Sequence, residues 1–181
     1  MPQRRIAFFR GINVGRAKRV AMADLRNLVG GLGYGDVRSC LNSGNVLFSV
    51  SPGDRRDPAP RIEKALSSGL GVSARVTVLT AGEVAAAVRG NPFREIAVHP
   101  SRLLVMVLED SRQRKHLAPL LAQRWDPEAI ALARRVAYLS CPTRILKSRL
   151  VAAVGRALGE AGTARNMATM MRIQALTETD R

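Results

Sequence analysis

VRSCLNSGNVLFSV, residues 37–50, reads as two strands meeting at a tight turn. Val37–Leu41 and Val46–Val50 hold residues that suit a pleated surface, and Asn42-Ser43-Gly44-Asn45 between them is built of turn formers. A β-hairpin is the expectation. Its flanks decide what kind of fold the hairpin belongs to. Upstream, Arg4–Arg10 (RRIAFFR) is apolar and aromatic enough for a short buried strand. The loop Gly11-Ile12-Asn13-Val14-Gly15 follows, and Met22, Leu25, Leu28, Val29 and Leu32 then recur at helical spacing until Gly33 and Gly35 stop the helix. Downstream, a polar loop over 51–60 leads to a helix with Ile62, Ala65 and Leu66 on one face. Gly69 and Gly71 close it, and the strand Arg75–Leu79 ends the series. The order β-α-β-β-α-β is that of the ferredoxin-like split unit.

The order then repeats. A linking helix over Ala81–Arg89 ends at Gly90-Asn91-Pro92-Phe93. Arg102–Glu109 is expected as a strand and Ser111–Trp125 as a helix with Leu117, Leu120 and Leu121 inward. Ala129–Ala133 and Val136–Ser140 form a second hairpin across Arg134-Arg135, and Lys147–Leu158 is a helix. Thr163–Arg165 is a short closing strand and Asn166–Thr177 a final helix. The expected fold is α+β: two ferredoxin-like (βαββαβ-type) subdomains in tandem, with linking and C-terminal helices. Their bounds are 1–80 and 100–181, with the linking helix and loop at 81–99. The repeat is one of element order, without residue-by-residue correspondence between the halves.

Composition narrows the function classes. The chain has 181 residues, 46% of them apolar, which suits one ordinary domain or two small halves with a real core. Its longest apolar run, Leu103–Leu108, is too short to span a membrane. The apolar stretch Ile6–Phe9 is cut by Arg10, leaving no signal-peptide core. Cys40 and Cys141 are far apart and read as structural thiols of a reducing, cytoplasmic compartment. His99 and His116 are equally isolated, so neither a metal nor a cofactor is expected.

Lys+Arg is 29 against 14 for Asp+Glu, a net charge of +15 that attracts polyanions. The basic residues occur in every segment rather than in one block, which favours a solvated basic surface over nucleic-acid binding. Aromatic residues are only 4%, and Gly44–Val50 lacks the basic-Gly-aromatic order of RNA-stacking sheets.

The polar candidates stand at element ends. Gly11–Arg16 lies between a strand and a helix, where backbone N–H groups hold anions, with Arg10, Asn13, Lys18 and Arg19 close in sequence. It is neither a Walker loop nor a dinucleotide fingerprint, and turn geometry alone also explains its glycines. Asn42–Asn45 is explained by turn chemistry, with a ligand role as the alternative. Asn166 fits a helix N-cap with Thr169 in the first turn. Arg165 beside it would clamp an anion or pair with a carboxylate, and the same choice holds for Lys147 and Ser148. No paired carboxylates and no nucleophile–base pair stand out, so the sequence leaves open whether the protein is an enzyme.

Taken in order, Ala7-Phe8-Phe9-Arg10-Gly11-Ile12-Asn13-Val14-Gly15, Val20, Met22, Leu25, Asn42–Val46, Asn91-Pro92-Phe93 and Thr163-x-Arg165-Asn166 with Thr169 form one pattern. The pattern resembles the bacterial family called domain of unknown function 1697, over nearly the whole chain. The resemblance implies two ferredoxin-like α+β subdomains and no established activity, substrate or cofactor. The chain departs from the family at Arg16, where a second glycine is common, and at Met167, where an aromatic is common. If those positions shape a pocket, the departures make it larger or more basic.

The leading functional expectation is a small anionic ligand in the seam between the halves. Its pocket would be lined by Arg10, Gly11, Asn13, Gly15, Asn45, Arg165 and Asn166. Nucleic-acid binding through the basic surface is the second reading. The third is a non-enzymatic structural or protein-interaction module in which the motifs only fix loops and caps. Oligomeric state stays open.

Overall fold

The computed structural model describes residues 2–14, 19–95 and 99–179. The chain forms two compact units, the first running to Gly82 and the second spanning Glu83–Glu178.

In the first unit the elements are β1 (Gln3–Phe9), α1 (Met22–Gly31), β2 (Gly35–Ser39), β3 (Asn45–Val50), α2 (Pro58–Leu70) and β4 (Val76–Thr80). The sheet order is β2-β3-β1-β4, and every neighbouring pair is antiparallel. This is the connectivity of the split β-α-β unit. Alternation along β1 sends Ala7 and Phe9 into a core with Val46, Phe48 and Val76 from the sheet, and with Leu25, Val29, Ile62 and Leu66 from the two helices. The opposite face carries Ile6, Phe8, Leu47 and Leu79, all buried. Burial on both faces explains why β1 and β3 read as continuous apolar runs. The second helix is well punctuated: the Asp57 side chain accepts from the Ala59 N–H, Pro58 opens the first turn, and Gly71 caps the end at φ 63°.

The hairpin departs from its expected bounds. β2 ends at Ser39 rather than Leu41, because Leu41 turns left-handed at φ 59° and takes the chain out of the strand. Near its start Asp36 is also left-handed, and the pairing with β3 slips between Gly35 and Arg38 in a bulge.

The second unit takes α3 (Ala81–Arg89) into β5 (Leu103–Leu108), α4 (Arg114–Leu121), β6 (Ala129–Leu132), β7 (Val136–Ser140), α5 (Arg149–Leu158), β8 (Gly162–Asn166) and α6 (Met167–Glu178). Its sheet order is β6-β7-β5-β8, again antiparallel throughout. Leu104, Met106 and Leu108 of β5 pack with Leu117, Leu120, Leu139, Leu150 and Val154 on the face covered by α4 and α5. On the other face the Tyr138 hydroxyl donates to the Ala87 carbonyl of α3 at 2.7 Å.

The expected helix over 111–125 is a short 3-10 turn at Ser111–Gln113 followed by α4 alone. Leu121 is 48% exposed, against the expectation that it faces inward. Leu117 and Leu120 already occupy the core stripe, and the next residue lies about 100° further round the helix. Likewise Lys147 belongs to a separate 3-10 turn, and α5 begins only after Ser148, whose hydroxyl accepts from the Val151 N–H at 2.9 Å. Among the described residues, no helix is long and apolar enough to cross a membrane.

Candidate functional site

Two motifs that stand 29 residues apart in sequence meet in the first unit. Antiparallel pairing of β1 with β3 places Phe8 opposite Asn45, so the loop leaving β1 rises beside the hairpin turn that feeds β3. Asn13 ties the two together. Its side-chain amide donates to the Asn42 carbonyl and to the Val20 carbonyl, both at 2.9 Å, and its Oδ1 accepts from the Val20 N–H at 2.8 Å. A left-handed backbone, φ 56°, aims the side chain this way, and asparagine tolerates that conformation. The Phe9 N–H donates to the Gly44 carbonyl at 2.9 Å, which makes a second tie. Ile12, 1% exposed, seats on Gly44, where a Cβ would fall 2.6 Å from its Cδ1. Asn45 is fully buried and donates to the Cys40 carbonyl at 2.9 Å and to the Ser43 hydroxyl at 3.0 Å. Arg10 leaves the end of β1 half-buried, its N–H donating to the Arg75 carbonyl at 2.9 Å, and Gly11 follows at φ 66°. Gly15, Arg16 and Lys18 lie outside the described residues.

Beside this platform is a cleft of about 430 Å³, lined by Asn13, Arg19, Val20, Ala21, Met22 and Asn42. Its wall carries the cationic Arg19 and the amide-bearing Asn13 and Asn42, together with the aliphatic Val20, Ala21 and Met22. α1 begins on this wall, and Ala21 at its N-cap position has no side chain able to cap the first turn. Asp24, the acidic residue of that turn, lines a different groove, between α1 and α2. Arg19 is exposed at the cleft and is the cation among its described lining residues.

The remaining candidates are in the second unit. Arg165 stands in β8 opposite Val105, in the closing strand that leads directly into α6, and is 8% exposed. Its Nη1 donates to the Thr163 hydroxyl at 3.0 Å and to the Ala164 carbonyl at 2.8 Å. Burial pushes its guanidinium down to about 10, so it still carries its charge at neutral pH. Asn166 accepts from the Thr169 N–H at 2.9 Å, the cap its spacing suggested. The sequence-expected residues thus form two clusters, Arg10–Asn13 with Asn42–Asn45 in the first unit and Thr163–Asn166 in the second.

Sequence reasoning missed one hydroxyl–imidazole pair. The Ser101 hydroxyl lies 2.7 Å from Nδ1 of His99, which also accepts the Ser101 N–H at 3.3 Å. The pair caps the 3-10 turn at Pro100–Arg102, a local role that His-Pro-Ser spacing could have signalled. Burial pushes the Cys141 thiol up, which makes it a poor nucleophile. Among the described residues, no group of three His, Cys, Asp or Glu side chains could hold a metal ion.

No curated protein matches this chain. Among solved structures it is similar to the conserved bacterial protein SP0830 from Streptococcus pneumoniae, at 20% identity and a TM-score of 0.82 over 99% of this chain and 100% of that one. At that identity the likeness speaks for the fold. The family model described as protein of unknown function, DUF1697, matches residues 2–138, well over half the chain, and the protein belongs to that family.

Proposed function

We propose that the first unit binds a small anionic ligand in the cleft beside the Asn13–Asn42 tie. The observation that carries this reading is the cleft itself: room for a small molecule, an arginine on its wall, and an uncapped first helical turn. Arg19 supplies charge and a planar donor fork, which suits phosphate or carboxylate oxygens. Asn13 and Asn45 act at one remove. Both amide hydrogens of Asn13 are given to carbonyls of the chain, and both of Asn45 to the turn, so these residues fix the wall and leave the ligand to others. Arg10 and Gly11 set where the loop leaves β1. Arg165 and Asn166 are not assigned to this cleft.

Thermal-shift and calorimetric titration with inorganic phosphate and a panel of phosphorylated small molecules tests the reading. A binder at 100 times its Kd stabilises the folded chain by about 2.7 kcal/mol. Arg19→Ala is expected to weaken that binder by about tenfold or more, the cost of one charge-assisted hydrogen bond. Binding that survives Arg19→Ala at full strength, or a panel without a single binder, sinks the proposal.

A further inference from the structure

The cleft also carries information about which anion fits. A bare phosphate is small beside a volume of about 430 Å³, which falls within the range of pockets for whole small molecules. Three of its lining residues, Val20, Ala21 and Met22, are aliphatic, and they follow directly on the cationic Arg19. An inorganic anion held at Arg19 would leave this surface wet, and burying it is where further affinity lies.

We infer that the ligand is an organic phosphate whose ester group has an apolar body, aliphatic or aromatic, lying against Met22 while the phosphate meets Arg19. This deepens the anion reading above and rests on it. Arg19 and the aliphatic lining then each have a counterpart in one molecule, whereas a polar ester of the same charge satisfies Arg19 alone.

The test compares hexyl phosphate and phenyl phosphate with glycerol phosphate, a polar ester of equal charge, by calorimetric titration of the full chain. Burying two or more methylene equivalents predicts that the apolar esters bind about tenfold tighter or more. Met22→Gln should reduce that preference to about threefold or less, by the same burial argument, and Met22→Leu should retain it. Circular dichroism of each variant checks that it is folded. Equal affinity for the polar and apolar esters overturns this inference while the anion site stands. A preference unchanged in folded Met22→Gln overturns it as well. Failure of all three esters to bind at millimolar concentration removes both this inference and the reading it rests on.

Discussion

Gly44→Ala should be among the most damaging single-carbon additions in the first unit. The residue sits at φ 73°, where an L side chain costs about 1–2 kcal/mol. The added Cβ would lie 2.6 and 2.7 Å from Cδ1 and Cγ1 of Ile12 and 3.0 Å from Cβ of Phe9. Neither neighbour has room to retreat, since Ile12 and Phe9 are both buried, and overpacking of this kind costs about 1–3 kcal/mol. Together these give about 2–5 kcal/mol. With a denaturant slope of about 2 kcal/mol per molar urea, the midpoint should fall by about 1–2.5 M. Far-UV circular dichroism during urea unfolding is the assay. The steric share is separable, because Ile12→Ala removes the two closest atoms. In that background Gly44→Ala should cost less, the left-handed term of about 1–2 kcal/mol plus the residual approach to Cβ of Phe9 at 3.0 Å. Equal costs in the two backgrounds would refute the packing of Ile12 on Gly44, and a cost below about 1 kcal/mol in wild type would refute the left-handed term too.

Tyr138→Phe should destabilise by about 1–3 kcal/mol, since it strands the Ala87 carbonyl in a buried setting without changing shape. Calorimetric unfolding checks this, and a neutral variant would show the hydroxyl bond to be idle. Asp54 is held at about 2 by its hydrogen bonds from Arg56, and Asp110 at about 2 by those from Arg112. Both folded values lie below the usual carboxylate value of 3.8, so the stabilisation is present at neutral pH and is lost as pH falls from about 4 through about 2. Asp54→Asn with Asp110→Asn should flatten stability across that window in an acid titration at low salt, and an unchanged slope would contradict the assignment.

Element order was legible because each apolar run keeps one period between clear stops. Val136–Ser140 and Ala81–Arg89 match their expected bounds for that reason. Errors arose where a local rule was overruled. Cys40-Leu41 has strand propensity, yet the turn needed a left-handed residue and Leu41 supplies it. Leu121 fits a helical repeat that ends before the repeat can bury it. At the candidate site the two loops were visible singly, but their union depends on strand pairing. Once β1 is set antiparallel to β3, the end of one must meet the start of the other. That Asn13 spends its whole amide on the backbone is a matter of a few tenths of an ångström and left no trace in composition or spacing. Thr163–Arg165 was legible as a closing strand, and only its extent differs, since pairing with β5 carries it from Gly162 to Asn166.

The bulge in β2 bears on how the first unit avoids its own kind. β2 is an outer strand of its sheet, with one rim of backbone donors and acceptors turned away from β3. A regular rim of that sort is a template for strand addition, the route by which β proteins aggregate. Here the rim is interrupted at its second residue, where Asp36 turns left-handed and its carboxylate is drawn back to the Ser49 hydroxyl at 3.0 Å. Arg38 then places an exposed charge on the remaining stretch. An incoming strand would lose register after one residue and would meet that charge soon after. The same irregularity that shortens the hairpin therefore blunts the sheet's outer edge.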